Sequence, residues 1–429
     1  MLAEITEHYN GMAPNKVYDF KGNLPFIKED YVYQFSRKKR NEKLDCFRIS
    51  SDIENAQHSI TNSYFIGVDW IIEKQHAIYI EPKLNNESRE TNYLSMLFSA
   101  LKHSEVAAYT EDLYEIKWDK EQIEITQQQD LLTPLMVVQY LRIVKEIVRK
   151  GLKKSYYKVE SNLYAKVKGK VLVSQTIKKN LFNNKPLNTY CSYEEFGLNS
   201  LENRLLKKAL VFIQRYLPNI KNLKAEEYTT EVFNYINPAF EFVSEEVNLN
   251  DIKYTKTNIF YKEYEEAIRL AKLILKRFGY NISNTEQNKI LTPPFWIDMS
   301  KLFELYVLGL LKDQFKNKIV YHPTYDDHEL DYLLLDPPMV IDAKYKPKYL
   351  NIEDKEDARQ LSAYARLQKV HEVVGYTEGK IIDCLIIYPD QDSNNKDLSA
   401  FDSLIKDPNS ESKQYVRFFK IGIELPLVK

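Results

Sequence analysis

Two apolar runs flank Asp336-Pro337-Pro338 in the stretch ELDYLLLDPPMVIDAKYKPKY, residues 329–349. Short apolar runs about a proline-bearing break predict two strands and a turn, a half-buried hairpin. The hairpin carries charges that burial alone does not explain. Asp331 lies on one arm, and Asp342 and Lys344 on the other. Side chains alternate along a strand, so Asp342 and Lys344 share a face. A symmetric hairpin about Asp336-Pro337 sets Asp331 directly across from Asp342, with Cβ atoms about 4.5–5.5 Å apart. Carboxylates that close repel each other unless a proton or cation lies between them. A hard divalent ion such as Mg²⁺ meets that need, because it takes oxygen ligands and is usually held by one or two carboxylates. The backbone carbonyl of Ala343 offers a further oxygen. A bulge would shift this register by one residue.

Lys344 beside such an ion can position an attacking water and stabilise charge developing on a phosphate. Glu304 is a third acid, set in a helical segment with Val307 and Leu308 on the next turn. A carboxylate on so apolar a helix needs a partner, and a shared metal supplies one. Gln360 and Tyr364 are four residues apart on another predicted helix, hence on one face, within reach of the metal or a scissile phosphate. Asp-x-Lys taken alone reads first as an exposed, salt-bridged hairpin face. The ordered set Glu, Asp, Asp-Ala-Lys and Gln-x-x-x-Tyr favours a metal-dependent phosphodiesterase site. His322 and His328, which lie just before the hairpin, read as structural or surface residues.

Several classes are excluded or disfavoured. The net charge of −1 gives no global sign of a nucleic-acid partner, so any such partner must meet a local patch. Cys46, Cys191 and Cys384 are too few and too far apart for a disulfide framework or a CxxC zinc site, and fit a reducing cytosol. GYTEGKI at 375–381 lacks the spacing and the Ser/Thr of a P-loop, which disfavours nucleotide hydrolysis by this chain. No basic-then-apolar leader opens the sequence, and no apolar run approaches the about 18 residues of a membrane span. The expectation is a cytoplasmic protein with no membrane contact.

At 429 residues the chain is long enough for two or three domains. The first sixty or so residues resist reading. Residues 64–83 suggest a hairpin about Glu-Lys-Gln, 90–104 a helix, and 105–130 an acid-rich stretch. Residues 131–152 turn helical, with Leu135, Val138, Leu141, Val144 and Val148 on one stripe and Gly151 as the stop. A basic segment follows from Arg142 to Lys185, with tyrosines interleaved. Asn199 with Glu202 resembles a capping box opening a helix lined by Leu205, Leu206, Ala209 and Ile213. A further helix carries Ile268, Ala271, Leu275 and Phe278 and ends at Gly279. The polar, then Pro-Pro segment 281–295 marks a boundary. Beyond it come a buried helix over 296–315, the hairpin, a helix over 356–368 and a strand over 384–389, an α/β order.

This order of elements resembles the PD-(D/E)xK nuclease superfamily in its RecB-like branch with Gln-x-x-x-Tyr. Across about residues 64–389 the chain is similar to the McrC family, the nuclease subunits of McrBC-type restriction systems. The resemblance rests on FIGVDWI…IYIEPKL, RKGLKKSYYKVESNLYAKVKGKV, YEEFGLNSLENRLLKKAL, MSKLFELYV, ELDYLLL, VIDAKYK and DARQLSAYA. Two departures stand out. Asp331 follows Glu329-Leu330 where the family usually has Arg-Pro, and Lys168 and Lys170 stand where arginine is common.

The resemblance implies a mixed, multidomain α/β fold. A β-rich N-terminal domain over 1–130 would dock a partner, and a mainly helical middle region over 131–285 would carry the basic segment. A PD-(D/E)xK restriction-endonuclease-like α/β domain would occupy 286–429. It implies DNA cleavage with Asp331, Asp342, Lys344, Glu304, Gln360 and Tyr364 as catalytic residues. Asp331, Asp342, Ala343 and Glu304 would hold Mg²⁺, with Mn²⁺ as a substitute. The partners implied are a McrB-like AAA+ GTPase hexamer and double-stranded DNA. Lys150, Lys153, Lys154, Lys168 and Lys170 either track DNA phosphates or form a solvated or acid-docking face. A stand-alone RecB-like repair nuclease and a non-catalytic adaptor that stimulates the motor are the competing readings.

Overall fold

The computed structural model describes residues 2–6, 31–37, 42–52, 57–82, 91–101, 103, 106–110, 113–117, 119–126, 130, 132–216, 227–248, 262–281, 289–346, 355–376, 380–408 and 410–427. The fold is mixed α/β, with several sheets and with helices throughout. Two compact units divide the chain, one of residues 1–129 and 290–429 and the other of residues 130–289. The polar residues 282–288 of the expected boundary lie outside the described residues, as do residues 7–30 and parts of the acid-rich stretch. No helix among the described residues is long and apolar enough to cross a membrane.

In the first unit, a five-stranded sheet runs in the order Ile319–Tyr321, Tyr332–Leu335, Pro338–Ala343, Asp383–Pro389, Phe418–Ile423. The first three strands are antiparallel and the last two add in parallel. Parallel neighbours need a long crossover, and here it carries the helices Lys355–Tyr364 and Gln368–Val373. Every residue of Asp383–Pro389 is buried, as expected for an interior strand covered on both faces. The hairpin pairs in the expected register, Tyr332 with Ile341 and Leu335 with Pro338. Leu333 and Val340 pack with Ala358 and Leu361 of the crossover helix and with Ile386. Each such leucine contributes about 1.5–3 kcal/mol through burial. Tyr332, of opposite parity, donates its hydroxyl to the Glu304 carbonyl at 2.6 Å, which ties the hairpin to the Met299–Phe315 helix.

Residues 296–315 are expected from sequence as one helix; the structure divides them. Phe295–Asp298 is a strand, and the helix begins at Met299. Asp298 is the cap, accepting the Lys301 amide at 2.9 Å. The strand lies between Phe65–Ile72 and Tyr114–Ile116 in a second sheet, whose order is Leu2–Thr6, His76–Glu81, Phe65–Ile72, Phe295–Asp298, Tyr114–Ile116. Pairing on both sides buries Phe295, Trp296 and Ile297 fully, and this outweighs the local helical pattern. Trp296 sits across from Gly67, where a Cβ would fall 2.0 Å from the Phe295 carbonyl oxygen. The hairpin expected over 64–83 is present as Phe65–Ile72 and His76–Glu81. The residues before Tyr64, unread in the sequence, include the strands Tyr31–Arg37, Glu42–Asp52 and Gln57–Asn62.

The second unit holds the helices expected of it. Leu132–Lys150 buries Leu135, Val138, Leu141 and Val144, with Ile147 rather than Val148 completing the stripe. It stops before Gly151, whose φ of 93° suits glycine. Leu201–Tyr216 buries Leu205, Leu206, Ala209 and Ile213. Its cap is Ser200 and not Asn199: Asn203 N donates to Ser200 Oγ at 3.4 Å, while Asn199 Oδ1 accepts from Ser244 N at 2.9 Å. Lys262–Asn281 runs past Gly279. The basic segment adds what the helical reading omits, a sheet of Lys170–Val171, Asn188–Gly197 and Ser155–Tyr164.

Candidate metal centre

The hairpin and the Met299–Phe315 helix bring acidic groups together at one end of the five-stranded sheet. Continuing the hairpin register by one step places Asp331 opposite Asp342. Asp331 Oδ2 accepts the Ala343 amide at 3.1 Å, which fixes the carboxylate across the strand. Glu304 projects from the helix, and its Oε1 accepts from Tyr321 Oη at 2.7 Å and from Lys301 Nζ at 3.2 Å. His322 Nε2 also meets Glu304 Oε1. Ligand atoms of Glu304, His322 and Asp331 all lie within 4.8 Å of one another, a set able to hold a divalent ion. His322 is thus in the cluster. Its side chain is largely buried, so it is not the surface residue that one of its expected readings had it, and the only sequence signal of its place was its closeness to the hairpin. His328 is exposed, with its ring 5.8 Å from that of Tyr364.

Lys344 Nζ stands 3.0 Å from Asp342 Oδ2 and 3.6 Å from Asp357 Oδ1. Asp357 also holds Lys346 at 2.8 Å. Asp357, Lys301 and Tyr321 carry no motif and are recognised only from their contacts. Asp342 Oδ2 is buried and accepts no aligned hydrogen bond despite the nearby ammonium. A buried carboxylate oxygen of this kind, opposite a second carboxylate, fits a cation.

The electrostatics agree with that fit. Burial, then the charges of Asp342 and Glu304, push the Asp331 carboxyl well above the usual carboxylate range. Burial likewise raises Asp342, against the opposing pull of Lys344. Burial would raise Glu304 too, but Lys301, His322 and Tyr321 outweigh it and hold that carboxyl below its ordinary value. Burial works against the Lys344 ammonium, yet Asp342 and Asp331 more than offset it and keep it charged. A divalent ion would replace the proton that the crowded aspartates favour.

Gln360 Nε2 donates to Tyr364 Oη at 2.8 Å, so the two do share one helical face. The five lysines named from sequence lie in the second unit. Lys150 pairs with Glu263, Lys153 with Glu202 at 2.9 Å and Lys168 with Glu195 at 3.0 Å. Lys154 and Lys170 are exposed.

Residues 65–389 match the family model described as "McrBC 5-methylcytosine restriction system component". No curated protein matches the chain. Two solved structures from Thermococcus gammatolerans are similar to it. One is a half-complex of a tetradecameric assembly of McrB AAA+ hexamers with bound McrC, at 14% identity over 88% of this chain and 80% of that chain, with a TM-score of 0.35. The other is a McrBC complex, at 16% identity over 60% of this chain and 68% of that chain, with a TM-score of 0.27.

Proposed function

The chain belongs to the family of McrBC 5-methylcytosine restriction system components, and on that premise we propose that it is the DNA-cleaving subunit of such a system. It is a metal-dependent endonuclease of the PD-(D/E)xK type, acting on double-stranded DNA and driven by a McrB-like AAA+ GTPase hexamer. The observation that carries this reading is Asp331 set opposite Asp342, with Lys344 beside them and Glu304 adjacent.

Glu304, Asp331 and Asp342, with the Ala343 carbonyl, would hold the ion, Mg²⁺ by resemblance and Mn²⁺ as a substitute. When bound, a divalent ion supplies Lewis-acid polarisation of a phosphoryl oxygen. Lys344 is held charged by Asp342 and Asp357, so its ammonium stabilises negative charge developing on the scissile phosphate. Gln360 and Tyr364, locked to each other, orient the nucleotide from the crossover helix. The sequence holds no GxxxxGK[ST], which supports leaving nucleotide hydrolysis to the partner. The N-terminal segment docks that partner, and exposed lysines of the second unit track the DNA backbone.

The test is DNA cleavage by the purified chain with a McrB-like partner, Mg²⁺ and GTP or ATP, with methylated and unmethylated DNA in parallel. Cleavage that needs the partner, the nucleotide and Asp342 supports the reading. Undiminished cleavage by Asp342→Ala, or none by the wild type while partner binding and nucleotide turnover proceed, overturns it.

A further inference from the structure

We infer that His322 Nε2 is a direct ligand of the ion held by Glu304 and Asp331, and that this nitrogen makes the centre prefer Mn²⁺ to Mg²⁺. The inference rests on the metal-dependent reading above and refines which ion the centre takes.

Four observations converge on His322. Its φ of 50° is left-handed, a conformation uncommon for a residue with a side chain. The backbone is held there by its amide, which donates to the Asp331 carbonyl at 3.0 Å. The ring stacks on Tyr321 with centroids 4.0 Å apart, which fixes its plane. Its Nδ1 lies 2.8 Å from Glu329 Oε1. A carboxylate receiving one ring N–H is the usual device that orients a metal-binding histidine, because it leaves the other nitrogen's lone pair for the metal. That other nitrogen, Nε2, faces Glu304 and Asp331.

Geometry and chemistry then select the ion. Ligands about 2.1 Å from a common ion lie at most about 4.2 Å apart, so the three side chains converge on one ion after shifts of less than about 1 Å. His322 and Glu304 expose only 15% and 14% of their side chains, which limits competition from water. Carboxylate, carbonyl and water ligands suit Mg²⁺, Ca²⁺ and Mn²⁺ alike, whereas imidazole nitrogen favours the transition ion. A protonated His322 that only bridges Glu304 and Glu329 is the competing account, and it places no nitrogen on the metal.

The experiment loads the full chain with Mn²⁺ and looks for ¹⁴N coupling by pulsed electron paramagnetic resonance. Calorimetry measures Mn²⁺ and Mg²⁺ affinities in parallel. The wild type is expected to show ¹⁴N coupling. His322→Ala is expected to lose it, with Mn²⁺ affinity falling about 10–100-fold and Mg²⁺ affinity falling less. Glu329→Gln guards against a folding defect in that variant; it should retain the coupling but bind Mn²⁺ more weakly. Bound Mn²⁺ without ¹⁴N coupling, or coupling that survives in His322→Ala, overturns the inference and leaves an all-oxygen nuclease centre intact. Failure of the folded wild type to bind either ion overturns the inference and the metal-dependent reading together.

Discussion

Asp331 stands opposite Asp342 at the open end of the hairpin, and its Oδ2 holds the amide of the next residue, Ala343, at 3.1 Å. Burial raises both carboxyl groups, and the charges of Asp342 and Glu304 raise Asp331 further. Above the unfolded carboxylate pKa of about 3.9, the folded pair keeps protons that the unfolded chain releases. Stability of the metal-free protein therefore falls as pH rises through the folded values. Asp331→Asn is expected to exceed the wild type by about 0.5–2 kcal/mol near pH 8 without metal, and to lose the stabilisation that added metal gives the wild type. Thermal unfolding with and without Mn²⁺ measures both effects; a variant less stable than the wild type in chelator would refute the account.

Glu304 behaves in the opposite sense. Burial opposes its charge, but Lys301 and His322 outweigh burial and depress its carboxyl. Its contribution to stability is present above the unfolded carboxylate value and is lost as pH falls through the folded one. Glu304→Gln leaves the Lys301 ammonium, with 12% of its side chain exposed, without its countercharge. A loss of about 3–5 kcal/mol is expected at neutral pH, shrinking toward pH 3. Urea unfolding at both pH values checks it, and a pH-independent difference would contradict it.

Lys344→Met removes the ammonium beside Asp342 that is proposed to act on the scissile phosphate, while leaving the carboxylates in place. Single-turnover cleavage is expected to slow by about 10²–10³-fold, with DNA and partner binding retained. A loss confined to binding would reassign Lys344 to the interface.

Gly67 admits the close approach of the Phe295–Asp298 strand. A Cβ there would meet the Phe295 carbonyl oxygen at 2.0 Å, and the φ of 146° disfavours any side chain. Gly67→Ala is expected to destabilise by about 2–4 kcal/mol in chemical denaturation. Because that strand runs directly into the helix bearing Glu304, the same variant should weaken Mn²⁺ binding.

The lysines divide by environment. Lys154 and Lys170 are exposed, whereas Lys153 is tied to Glu202. Replacing Lys154 or Lys170 by Ala is expected to flatten the salt dependence of duplex DNA affinity by about 0.9 each in log–log slope. Unchanged slopes would place the DNA path elsewhere.

Local periodicity carried much of this protein. The hairpin register was legible because a two-residue side-chain alternation about Asp336-Pro337 leaves one symmetric pairing. The stripes of Leu135, Val138, Leu141 and Val144, and of Leu205, Leu206, Ala209 and Ile213, were legible because a helix repeats every 3.6 residues. The pairing of Gln360 with Tyr364 followed from the same repeat. Glu304, Asp331, Asp342 and Lys344 stood out as charges on apolar elements.

Tertiary structure decided the rest. The Phe295–Asp298 strand carries no signal of its partner, because Trp296 pairs with Gly67 across more than two hundred residues of chain. The same contact made Asp298 a cap instead of an interior helical residue. His322 has no motif, and its place in the cluster comes from a left-handed backbone turn stabilised by the Asp331 carbonyl. Sequence thus determined which residues carry charge on which face of each element, since those faces follow from the chain's own geometry. Which charges meet was decided by long-range pairing and burial, whose energies depend on neighbours that no local window contains.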